Sequence, residues 1–250
     1  MTTASDTPTE AAPSSAPLFY NRPVPLQADV HADVRILPGK LSFAAATNSI
    51  PLVVGEFSLA LHHYPILFAG DAAVPMAAVG VAEDNLFVTE GEWDAASYIP
   101  AYVRRHPFIF IDTGEENQFL LGLDEDSERV VKGGDEGQPL FANGKAEEIV
   151  QNALDFCGQF TREHEQTREF SQALKDNDLL VVRNATVRTN DGREFNLNGF
   201  QVIDAEKLRD LPDATVIDWH RKGWLSLANQ HLMSLGRFSD LTNRLSVRAG

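Results

Sequence analysis

Three features of the 250-residue sequence predict a mixed α+β fold: a helical period over residues 145–175, two long hairpin strands within residues 179–202, and short apolar runs separated by turn residues. The expected arrangement is a mostly antiparallel sheet with a long central helix and a C-terminal helix packed on it. Hydrophobic residues make up 43% of the chain, enough for a sizeable core and typical of a globular protein. Residues 1–17 read as a disordered leader and 18–250 as a single α+β domain, with a candidate internal junction at 124–144.

In LFYNRPVPL two prolines impose extended geometry, as in an arm laid on the domain surface. VHADVRIL alternates as a strand, with Val30, Ala32, Val34 and Ile36 on one face and His31, Asp33 and Arg35 on the other. A short strand is expected at residues 43–46. Phe57, Ala60, Leu61 and Tyr64 then form a helical stripe that Pro65 ends. Strands follow at 66–68, 77–81 and 86–89, and a short helix over 98–104 is ended by Pro107. The aromatic, β-branched run at 108–111 pairs with 119–123 as a hairpin. The acidic, glycine-rich stretch 124–144 reads as a surface loop or junction, and its DEDSE lacks the ligand spacing of an EF-hand loop. Beyond the long helix, Asn190-Asp191-Gly192 marks a tight hairpin turn. Asp204 is placed to cap a short helix broken at Pro212, and a last helix runs over 223–243.

Thirty-six acidic against 21 basic residues give a formal charge of −15, which disfavours nucleic acid and anionic membrane surfaces as partners. Cys157 is the single cysteine, so an intrachain disulfide and a cysteine-rich zinc site are excluded; its helical surroundings suggest a small buried hydrophobe. The N-terminal residues lack the basic and apolar regions of a Sec signal, and no run of about 20 apolar residues is present. A soluble, cytoplasmic protein is expected, not an integral membrane protein.

The densest mix of aromatic, cationic and chain-breaking residues is GEWDAASYIPAYVRRHPFIFI, at 91–111. Arg104-Arg105-His106 is the concentrated positive patch, and it follows Trp93, Tyr98 and Tyr102. A planar cation beside aromatic rings suits a carboxylate or phosphate, so Trp93, Tyr98, Tyr102, Arg104 and Arg105 are the candidate ligand-binding residues. The competing expectation is that the arginines bond to the acidic loop at Glu115-Glu116 and stack on rings. His31 and Asp33, at i and i+2, together with His220, define an alternative: the two-histidine, one-carboxylate iron site of a non-haem oxygenase. His231, on an apolar helix face, reads as a core histidine. No nucleotide-binding loop, nucleophile elbow or zinc-protease motif occurs, so no catalytic residue is assigned and no cofactor is expected outside the iron alternative.

FYNRPVPLQADVHADVRI, IPLVVGEFSLALHHYPILF, WDAASYIPAYVRRHPF, GREFNLNGFQVIDAEKLRDL and LANQHLMSLGRFSDL together resemble the bacterial SapC family, over nearly the whole chain after the leader. The resemblance implies a single folded unit and an association with bacterial surface layers; it supplies no catalytic residue. The function expected is that of a non-catalytic accessory protein that binds a peptide, a small anionic ligand or a protein partner. A surface-layer-associated role is the further alternative.

Overall fold

A computed structural model describes residues 17–115, 118–188 and 194–249. In chain order the strands are β1 (Pro23–Pro25), β2 (Val34–Ile36), β3 (Ser49–Pro51), β4 (Ile66–Ala69), β5 (Val74–Ala78), β6 (Val88–Thr89) and β7 (Glu92–Trp93). They continue with β8 (Phe108–Asp112), β9 (Phe119–Asp124), β10 (Val130–Lys132), β11 (Gln138–Pro139), β12 (Phe141–Ala142), β13 (Lys145–Ala146), β14 (Leu180–Arg188) and β15 (Glu194–Ile203). The helices are α1 (Phe57–Ala60), α2 (Ala101–Arg104), α3 (Glu148–Asp176), α4 (Ala205–Arg209), α5 (Asp213–Lys222), α6 (Trp224–Ser234) and α7 (Phe238–Ala249). This is an α+β fold, and every strand pairing described is antiparallel.

The largest sheet has the order β14-β15-β4-β5-β3, and a three-stranded sheet has the order β1-β9-β8. Each lies over its own hydrophobic cluster. The larger core gathers Phe57, Tyr64, Phe68, Phe170, Leu174 and Trp219, and the smaller one Val34, Leu123, Leu140, Val150 and Cys157. Helix α3 spans both, because at about 1.5 Å per residue its 29 residues extend roughly 43 Å. Val150, Ala153 and Cys157 serve the smaller core, while Phe170 and Leu174 serve the larger.

The N-terminal arm is held by one carboxylate. Asp124 is fully buried and accepts the backbone N–H of Asn21 (3.1 Å) and of Arg22 (2.7 Å), while β1 pairs with β9 beside it. Glu56 plays the same part in the larger core. Its Oε2 accepts from the Val53 N–H (3.0 Å), and its Oε1 from the Ala101 N–H (2.6 Å) and the Tyr98 hydroxyl (2.9 Å).

His231 is fully buried, its Nε2 accepts the Ile203 N–H at 3.0 Å, and burial pushes its pKa down to about 3. It is a neutral core histidine that ties α6 to β15. Asp204 caps α4 as the sequence suggests, its Oδ1 accepting from Glu206 N and Lys207 N. Asp204→Ala is expected to cost about 1 kcal/mol, read as a lower thermal midpoint. An unchanged midpoint would mean that the capped turn is held by packing alone.

Several elements differ from expectation. The strand expected over VHADVRIL shortens to β2, because residues 28–33 form turns that bury His31 and leave Val30 exposed. Residues 42–44 form a 3-10 turn rather than a strand. The stretch 124–144 is not a simple loop: β10 and β11 both pair with β2, and Leu140 is fully buried between them and α3. The last helix is two, α6 and α7, joined by a 3-10 turn at Leu235–Arg237. The turn at Asn190-Asp191-Gly192 and the leader, up to residue 16, lie outside the described residues. Among those described, no helix is long and apolar enough to cross a membrane.

Candidate functional site

Pro100 precedes α2 with extended backbone, so this single turn of helix starts abruptly and projects consecutive side chains to different sides. Arg104 and Arg105 therefore part company. Arg104 lies on the surface, donates to the Tyr98 hydroxyl (2.9 Å) and the Ile99 carbonyl (3.0 Å), and rests over the rings of Tyr98 and Phe156. Its hydrogen-bonding edge is already engaged. The hollow beside it, about 230 Å³, also holds the carboxylates of Glu56 and Glu163, which repel an anion.

Arg105 points the other way, into a cavity of about 620 Å³ between α3, the β8–β9 hairpin and the ends of β3 and β5. Its guanidinium carbon sits 4.1 Å from the ring centre of Tyr102, 4.5 Å from Phe160 and 5.5 Å from Tyr20. Three aromatic walls thus hold the cation and strip much of its water. Its Nε is buried with no hydrogen-bond partner, and no carboxylate among the described residues forms an ion pair with it. Burial raises the pKa of both tyrosine hydroxyls although the arginine's charge opposes it, so both stay protonated.

The cavity also carries the charged side chains of Glu165, Arg168 and Asp112, of which the first two neutralise each other. Glu165 and Arg168 pair with each other at 3.2 Å, and Asp112 accepts the Gly114 N–H at 2.8 Å. His164 lies parallel to Phe160, and its pKa is lowered by partial burial. Cys157 is buried in the wall with its thiol pushed up to about 11, so it contributes bulk rather than a thiolate.

Of the residues the sequence singled out, Tyr102 and Arg105 come together in this cavity, whereas Trp93, Tyr98 and Arg104 do not line it. Trp93 is a core residue whose indole N–H donates to the Tyr64 hydroxyl at 3.3 Å. The proposed iron ligands are not assembled. His31 is buried, with Nδ1 at the Gln27 backbone and Nε2 3.4 Å from Glu125, while Asp33 and His220 are exposed on separate elements. Among the described residues no group of three histidine, cysteine, aspartate or glutamate side chains is placed to hold a metal ion. The turn at residues 28–33, which replaces the expected strand, removes the common face that His31 and Asp33 would need.

The residues missed from sequence are Tyr20, Phe160 and His164. The last two had a visible signal: with Cys157 and Thr161 they recur at i, i+3, i+4 and i+7 along one face of α3.

Fold and site together define an α+β protein with an arginine-bearing cavity beside its central helix. No curated protein and no solved structure matches the chain. The family model for SapC matches residues 26–241, and the chain belongs to the SapC family.

Proposed function

We propose that this SapC-family protein binds a small anionic ligand, with Arg105 as the anchor for the anion. The observation that carries the reading is a cation held by Tyr20, Tyr102 and Phe160 at the wall of a cavity, with an unpartnered buried Nε and, among the described residues, no carboxylate in an ion pair with it. An unpaired charge in such surroundings is costly, and an anion entering the cavity relieves that cost. The flat guanidinium fork matches a carboxylate especially well.

Titration calorimetry with decanoate, and with 1-decanol as the uncharged control, tests this. Decanoate is expected to bind and decanol to bind at least tenfold more weakly, since a charge-assisted hydrogen bond contributes about 1.5–3 kcal/mol. Arg105→Gln should remove the difference between the two, whereas Arg104→Gln, whose hydrogen bonds lie outside the cavity, should preserve it. Equal affinity of wild type and Arg105→Gln for decanoate would refute the assignment.

A further inference from the structure

The shape and lining of the same cavity narrow its ligand further, given the Arg105 reading above. The wall contributed by α3 runs from Cys157 to Ser171, fourteen residue-to-residue steps on one helix, or roughly 21 Å at 1.5 Å per residue. Spread over that length, about 620 Å³ is a slot with a cross-section of about 30 Å². Carbon atoms in contact stand about 4 Å apart, so this slot admits one alkyl chain along its length.

The hydroxyls along the helix wall are turned to the protein. Thr161 donates to the Cys157 carbonyl (3.0 Å), Thr167 to the Glu163 carbonyl (2.6 Å) and Ser171 to the Ala73 carbonyl (2.8 Å). Opposite them stand Pro51, Leu52, Val74 and Pro75, with Ile109 and Phe110 nearer the arginine. Arg105 belongs to the Cys157 end, because it sits on Phe160. The slot is therefore mostly apolar, with the mutually paired Glu165 and Arg168 and the ring of His164 along the helix wall and the Arg105 cation at one end.

We infer that the ligand is a long-chain monocarboxylate, its carboxylate on Arg105 and its alkyl chain laid along α3 toward Ser171. A chain advances about 1.3 Å per carbon when carbon–carbon bonds are near 1.5 Å, so roughly 16 carbons fill the slot. Dianionic head groups fit poorly, because Arg105 is a single positive charge, Arg168 is paired with Glu165, and the Asp112 carboxylate also lines the cavity.

Saturated monocarboxylates of 6 to 18 carbons, titrated below their aggregation concentrations into the full-length protein, provide the test. Affinity is expected to rise up to about fourfold per added methylene, the equivalent of about 0.8 kcal/mol for each buried group, and to level off near 16 carbons. Ala72→Phe, a surface change at the far end of the slot, should move that plateau to shorter chains while leaving the shortest acids unaffected. Dodecyl phosphate should bind more weakly than dodecanoate at pH 8. Affinity that is independent of chain length, yet still lost in Arg105→Gln, would overturn the long-chain assignment and leave the anion anchor standing. Binding that ignores both chain length and Arg105, or no binding at all, would overturn both.

Discussion

Glu56→Ala is expected to lower the unfolding free energy by about 4 kcal/mol, a large share of the stability of an ordinary protein. Glu56 is 4% exposed, and its two oxygens receive three donors from different parts of the chain: Val53 N–H, Ala101 N–H and the Tyr98 hydroxyl. Removing the carboxylate strands three donors, two of them backbone groups in the interior, at about 1–3 kcal/mol each. Tyr98 would lose one partner but keep Arg104, which donates to its hydroxyl. Glu56→Gln retains one acceptor oxygen and should cost roughly half as much. Urea unfolding midpoints for the two variants measure the effect. A loss below 1 kcal/mol for alanine would show that water or neighbouring groups satisfy the donors.

Acid should destabilise the fold well before the ordinary carboxylates titrate. Burial lowers the pKa of His106 to about 4, against an opposing pull from Asp124 at 3.4 Å, and that of His231 to about 3. An unfolded histidine takes up its proton near pH 6.5. Below that pH the unfolded chain binds protons that the folded chain refuses, so stability falls until the folded values near 4 and 3 are passed. Between pH 7.5 and pH 5 the two histidines together should remove roughly 4 kcal/mol. Glu56 acts in the opposite sense. Burial raises its pKa, so the folded state holds that proton more tightly, and the stability gained is lost as pH rises through the raised value. Denaturant titrations at the two pH values test the sum, and a pH-independent free energy would contradict it. His231→Gln, which keeps an acceptor for the Ile203 N–H, should flatten the dependence by about half.

The features that were legible in the sequence are those whose signal is local. The period of α3, the β8–β9 and β14–β15 strands, and the Asp204 cap depend on neighbours within a few residues, and all appear where expected. The misread elements depend on distant contacts. Val30 to Ile36 alternates as a strand would, yet only Val34–Ile36 finds partners, in β10 and β11 from a stretch that reads as loop. Helix α5 was hidden because its inward anchor, Trp219, packs on Phe170 and Trp224 from other helices, while Ile217 faces solvent. The site divides in the same way. Arg105 and Tyr102 stand out as a cation next to an aromatic three positions earlier, but Tyr20 and Phe160 reach them only through the packing of the arm and of α3. Which of two adjacent arginines turns inward was decided by helix geometry, not by residue type.

Helix α3 also makes the two hydrophobic cores mechanically interdependent. A single rigid rod contributes side chains to each, so a shift of its axis that loosens one must displace the other. A molecule lying between Cys157 and Ser171 would touch the rod on both sides of its midpoint. Its binding energy would act on the packing of α3 in both cores at once, so an occupied cavity would raise the stability of the whole fold and not of one core alone.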